Sequence, residues 1–147
     1  MDETSITEYI TGTLGRVDTV DANGDRFFFY DPGDGLPPDH MWPFATLVTS
    51  DFNDTASNLN RPGVYRLNIG VSKQTFGSLF GSESNPADVG DESGYDFTVL
   101  DQLMPHPVYG KMYWVCVLNP GTATFESVQR LLAEAYGMAV ARHTKKG

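Results

Sequence analysis

Cysteine is almost absent: Cys116 stands alone in 147 residues, so neither an internal disulfide nor a multi-cysteine zinc site can form. Long apolar runs are missing too, and none approaches the roughly 18 residues a membrane span needs. The opening stretch MDETSITEYI lacks the basic and then apolar regions of a secretory signal. Basic residues are few, 10 Lys and Arg against 19 Asp and Glu, for a formal charge of -9. There is no phosphate-binding loop, dinucleotide fingerprint, His-Glu-x-x-His pair or nucleophile elbow. What remains is a soluble, cytoplasmic domain with no metal or cofactor called for. Its length suits one domain, residues 1–147, able to bury a core unaided.

The charge is unevenly placed. Residues 1–60 hold eleven acids and only Arg16 and Arg26 as bases, while residues 61–147 hold eight of each sign. An acidic first half repels phosphate backbones, which makes nucleic acid an unfavourable partner. The basic tail Arg142, His143, Lys145, Lys146 suits a helix C-terminus. Any site is therefore expected on the neutral half, with the acidic half as a solvated flank.

Ser5 and Glu8 have capping-box spacing, and Ile6, Tyr9, Ile10 and Leu14 share a helical face up to Gly15. Asn23-Gly24 between β-formers predicts a hairpin joining 17–20 to 26–30. The Pro- and Gly-rich segment 31–43 reads as loop, and 44–49 and 63–71 read as strands. Ser72 should cap a short helix through Phe76, Leu79 and Phe80, ended by Gly81. Residues 81–96 form an acidic, mobile surface loop. Residues 97–100 and 112–118 read as strands, the second apolar on both faces and hence interior. Thr124 should cap a last helix in which Phe125, Val128, Leu131, Leu132, Ala135, Tyr136 and Ala139 recur every three or four residues. The expected fold is α+β. About five to six strands form a single antiparallel sheet, with the N-terminal, short middle and long C-terminal helices packed on one face.

The Pro105-His106-Pro107 segment running into Tyr113-Trp114-Val115, and the helix carrying Leu131 to Tyr136, resemble the MmcQ/YjbR group. These are small α+β domains with a fold similar to that of CyaY. The group's closing helix typically ends in a Ser-Tyr pair, and here the serine position is Ala135. The segments PFATLVTSD, RPGVYRLNIGVSK, YDFTVLDQLMPHPVYG and MYWVCVLNP more closely resemble a bacterial, largely actinobacterial, family of unknown function. That resemblance implies the fold and no activity. The MmcQ/YjbR group is sometimes labelled DNA-binding, and the charge balance argues against transferring that label.

His106 is the candidate catalytic residue, since flanking prolines restrict its backbone and could present the imidazole at a cleft as acid/base. The competing reading has it capping or packing at a strand end. Tyr109, Lys111 and Trp114 are candidate ligand-binding residues, with rings able to stack on a planar or apolar ligand. Tyr113 and Trp114, adjacent in a strand, must point oppositely. Arg66 and Asn68, two apart, share a face. If that face is covered, Arg66 needs a ligand carboxylate, Asp101 or another acid; if it is open to water, both are surface residues, and the open reading carries more weight. Cys116, between Val115 and Val117, reads as core, and Asp21-x-Asn23-x-Asp25 as hairpin and no calcium loop.

Three functions follow. The first is a small-molecule binder with its pocket near Pro105–Tyr109, the second a cofactor-independent enzyme using His106 on an anionic or carbonyl-containing substrate. The third is a protein-interaction domain acting through the acidic N-terminal half. Oligomeric state is not legible from these residues.

Overall fold

The computed structural model describes residues 2–31, 43–52, 54–80 and 96–146. Most of the loops at 31–43 and 81–96, with Trp42 and Gly81, lie outside these residues. Helix α1 (Glu3–Thr13) leads to strands β1 (Val17–Ala22), β2 (Asp25–Tyr30), β3 (Ala45–Val48) and β4 (Arg66–Gly70). Helix α2 (Lys73–Phe80), strand β5 (Met104–Pro105), a 3-10 turn (Gly110–Met112), strand β6 (Trp114–Leu118) and helix α3 (Thr122–Lys146) follow. The six strands form one antiparallel sheet in the order β1-β2-β3-β4-β6-β5. The fold is α+β, as the patterning implies.

Strand alternation decides what each face receives. Phe28, Ala45, Leu47, Leu67, Ile69, Val115 and Val117 point to the main core. There they meet Ile6 and Ile10 of α1, Phe76 of α2, and Phe125, Val128, Leu131, Leu132 and Ala135 of α3, so all three helices cover the same face. The opposite face carries Arg66 and Asn68 in β4. It is closed at one end by a second cluster of Val48, Leu59, Phe97, Met104, Cys116 and Leu118.

The β1–β2 hairpin turns on Asn23 and Gly24, both at positive φ (56° and 85°), as a two-residue primed turn requires. Ser72 caps α2: its Oγ accepts from the Thr75 N–H at 3.1 Å, and Glu134 of α3 accepts from the Ser72 N–H at 3.2 Å. This pins a short helix to a long one. Ser72→Ala is expected to cost about 1 kcal/mol in urea unfolding; an unchanged midpoint would show that Glu134 alone holds the helix end.

The strands expected over 44–49 and 63–71 are shortened to Ala45–Val48 and Arg66–Gly70, and four further boundaries differ from expectation. The cap of α1 is Asp2, whose Oδ1 accepts from the Ser5 N–H at 2.8 Å, which leaves Ser5 inside the first turn. Residues 97–100 make no strand; Leu100 forms only an isolated parallel bridge to Leu118, and the edge strand is Met104–Pro105. Proline is tolerated there because an edge strand can spare an N–H. β6 starts at Trp114 because Tyr113 takes left-handed geometry (φ 66°) at the end of the 3-10 turn. Finally α3 starts at Thr122, two residues ahead of the expected cap Thr124, with Asp101 Oδ1 accepting from the Gly121 N–H at 2.7 Å. A carboxylate distant in sequence has done the capping.

Candidate functional site

The site lies on the sheet face that the helices leave uncovered. Cross-strand register sets Thr46 against Asn68 and Asn68 against Cys116, with Arg66 one pleat away between Val48 and Leu118. Arg66 and Asn68 are 1% and 2% exposed. The expectation that they stand open to water is overturned: the turn carrying Asp54 and Ser57, together with His106, closes over them. Burying a cation demands compensation, and four of the five guanidinium N–H groups receive it. Nε donates to Asn68 Oδ1 at 2.9 Å, Nη1 to Asp54 Oδ1 and Ser57 Oγ at 3.0 Å each, and Nη2 to Asp54 Oδ2 at 2.6 Å. The second Nη2 hydrogen is left for the side where His106 Nε2 lies, 3.4 Å away.

The acid partner is thus Asp54, and Asp101 is occupied at α3. Burial pushes the Asp54 carboxyl up, but the Arg66 hydrogen bonds and charge outweigh it and hold it below the usual carboxylate range. Asn68 is itself oriented, its Nδ2 donating to Thr46 Oγ1 at 3.0 Å. The network fixes each member by the next.

His106 arrives from the other side. Its backbone N–H pairs with the Trp114 carbonyl at 2.9 Å, after which the chain turns sharply, the Gly110 N–H reaching back to the His106 carbonyl at 3.0 Å. The side chain caps that turn: Nδ1 accepts from the N–H groups of Val108 and Tyr109, each at 3.0 Å. Pro107 between them has no N–H to satisfy and a preset φ, the usual advantage of proline just after a cap. The imidazole is 3% exposed. Burial first, then the Arg66 charge, pushes its pKa down from 6.5 to about 3, against an opposing pull from Asp54. At neutral pH it is an uncharged ring.

These groups floor a cavity of about 320 Å³, within the range of small-molecule sites. Thr46, Asp54, Arg66, Asn68 and His106 supply the polar floor, and Phe27, Pro43, Val48, Tyr109, Met112 and Trp114 the walls. Tyr109 is half exposed, with its ring centroid 5.1 Å from that of His106. Trp114 lies flat against Gly70, where a Cβ would come within 2.9 Å of the indole, so only glycine admits the ring there. A neighbouring cavity of about 300 Å³ shares Pro43, Met112 and Trp114 and runs on to Ala135, Met138 and Arg142 of α3.

Of the residues singled out from sequence, His106, Arg66, Asn68, Tyr109 and Trp114 converge on this cavity. Lys111 is exposed on the 3-10 turn and is not among the lining residues. Tyr113 does point away from Trp114, packing on Phe76 at 5.8 Å, although a positive-φ turn rather than strand alternation separates them. Cys116 is buried, its Sγ 3.6 Å from the Pro105 carbonyl, and burial pushes its thiol up to about 12. Among the described residues no three His, Cys, Asp or Glu side chains gather as a metal site, and no helix is long and apolar enough to cross a membrane.

A family model, described as a family of unknown function, matches residues 1–147. The chain belongs to DUF6194. Neither the curated proteins nor the solved structures contain a match.

For DUF6194 the sequence patterning left out Asp54 and Thr46, two of the five residues of the polar floor, and Ser57, which accepts from Arg66. Asp54 and Ser57 sit in a run of Asn, Asp and Ser that looks like any polar loop. The usable signal was the strand itself, where an arginine between Tyr65 and Leu67 implies an acid on the covering loop. The expected split into an acidic flank and a neutral site half also fails. Phe27, Pro43, Thr46, Val48 and Asp54 all come from the first sixty residues, and the buried Asp25 accepts from the Thr49 N–H at 2.9 Å.

Proposed function

We propose that this DUF6194 chain binds a small molecule in the cavity beside Pro105–Tyr109. The observation that carries the reading is a polar floor of convergent buried groups beneath aromatic and apolar walls, on the face without helices. Apolar walls with a few convergent polar groups are what small-ligand sites require. The walls would take a flat or apolar body, and the floor would orient its polar end. Arg66, Asn68, Tyr109 and Trp114 are its proposed contacts, with Lys111 as an outer one.

The enzyme reading, with His106 as acid/base, draws less support. A ring whose Nδ1 is committed to two backbone N–H groups, and whose basicity is pushed down to about 3, is a poor base at neutral pH. A protein contact through the acidic half also draws less, because Asp2, Asp25 and Asp54 are engaged within the chain. Membership of the wider MmcQ/YjbR group, a bacterial origin and a cytoplasmic site are parts of the same proposal. The first rests on the Pro-His-Pro to Trp-Val segment and the closing helix.

The test is a thermal-shift screen of small molecules. A ligand at a hundred times its Kd should stabilise the chain by about 2.7 kcal/mol. Tyr109→Ala should weaken a true hit about three- to tenfold, the worth of one aromatic contact. Hits that stabilise Tyr109→Ala and Trp114→Ala as much as the parent chain bind elsewhere and sink the proposal.

A further inference from the structure

His106 and Arg66 present an unresolved pairing. The Val108 and Tyr109 N–H groups both aim at Nδ1 at 3.0 Å, so that nitrogen must offer its lone pair and cannot carry a proton. A neutral imidazole has one proton, which therefore sits on Nε2. Nε2 faces Arg66 Nη2 at 3.4 Å, and guanidinium nitrogens are donors only. Among the described residues, two N–H groups thus stand side by side with no acceptor between them, in side chains 3% and 1% exposed that both line the cavity. The reverse tautomer would be worse, since an Nδ1–H would meet two backbone donors in place of one. Among the described residues the other Arg66 hydrogens go to Asn68, Asp54 and Ser57, and no hydrogen bond joins these acceptors to Nε2. A buried donor without an acceptor is destabilising, and a ligand that supplies one recovers the loss.

We infer that the cavity recognises an uncharged ligand carrying a carbonyl-type oxygen, which accepts from His106 Nε2–H and the adjacent Arg66 Nη2–H while its flat body lies between Tyr109 and Trp114. The inference deepens the binding reading above and rests on it. Charge selects the carbonyl over a carboxylate. Arg66 and Asp54 already neutralise each other at 2.6 Å, and the cap at Nδ1 prevents His106 from becoming a cation. An anion would enter a buried site with no net positive charge to meet it.

The experiment uses the full chain, labelled with nitrogen-15, and three probes: acetophenone, its near-isostere cumene, which lacks the oxygen, and benzoate. Long-range proton–nitrogen spectra report the tautomer of each histidine, and His40→Gln and His143→Gln assign the His106 signals by elimination. The expected result is an Nε2–H tautomer at neutral pH. Acetophenone should shift Nε2 and bind about three- to tenfold tighter than cumene, as one hydrogen bond is worth, and tighter than benzoate. An Nδ1–H tautomer overturns the inference at its premise. Cumene binding at the cavity residues as tightly as acetophenone, or benzoate more tightly, overturns the ligand class and leaves the binding site standing. Failure of all three to perturb Tyr109, Met112 or Trp114 overturns both.

Discussion

Arg66→Met is expected to destabilise the chain by about 3–5 kcal/mol, the largest single-residue effect in the site, because it strands the partners of a buried charge. Methionine fills much of the arginine stem's volume, so the loss is chiefly electrostatic and not a cavity. What it leaves is an Asp54 carboxylate, a Ser57 hydroxyl and an Asn68 carbonyl oxygen without the donors that satisfied them. Asp54→Leu removes the charge from the other end and strands the Arg66 guanidinium, whose side chain is 1% exposed, so it should cost nearly as much. The double variant Arg66→Met with Asp54→Leu should recover most of the loss, since replacing both members of a buried pair is often nearly neutral. Urea unfolding of the four proteins measures this as a double-mutant cycle. A loss below about 1 kcal/mol for Arg66→Met would place the pair among ordinary solvated ion pairs. The recovered double variant would also fold around a cavity whose floor has lost its ion pair. Loss of ligand affinity with stability restored would separate the network's role in binding from its role in folding.

The fold was legible where one local rule decides one element. Asn23-Gly24 determines a hairpin by its φ values, Ser72 caps α2, and the spacing from Phe125 to Ala139 brings one stripe of α3 onto the sheet. It was illegible where the partner is distant. Asp101 caps α3 across a gap of twenty residues, and Leu100 spends its backbone on a single bridge instead of a strand. No window of neighbouring residues contains either fact. The site divides in the same way. That Arg66 and Asn68 share a face follows from pleating alone. That the face is covered depends on a turn at 54–57 whose composition is indistinguishable from a solvated loop. His106 was marked out by its flanking prolines, and those prolines serve the cap: Pro105 ends an edge strand and Pro107 supplies the residue without an N–H. The same geometry that drew attention to the imidazole as a base is what makes it a fixed donor.

That role has a thermodynamic signature on the acid side. In the folded chain His106 resists protonation down to about 3, whereas in the unfolded chain it takes its proton near 6.5. Between those values the unfolded state binds more protons, so stability rises with pH. The contribution is fully present above about pH 6.5 and is lost as pH falls toward the folded value, at about 1.4 kcal/mol per pH unit. Between pH 6.5 and about 4.5 the chain should lose about 2 kcal/mol. The groups facing the imidazole are Arg66, which disfavours its cation, and Asp54, which favours it. Asp54 is itself held below the usual carboxylate range, so its own stabilising contribution is lost as pH falls from that range toward its lowered folded value, below the pH interval of the urea measurement. His106→Asn isolates the effect, because an asparagine Oδ1 can still accept from the Val108 and Tyr109 N–H groups while nothing at the position titrates. Urea midpoints measured from pH 7.5 to 4.5 should fall in the parent chain and stay nearly level in the variant. His40 and His143 remain in both and cancel. Parallel curves would mean that His106 protonates freely in the folded chain. The cap at Nδ1 would then be open, and the imidazole would be available as the acid/base it resembles in sequence.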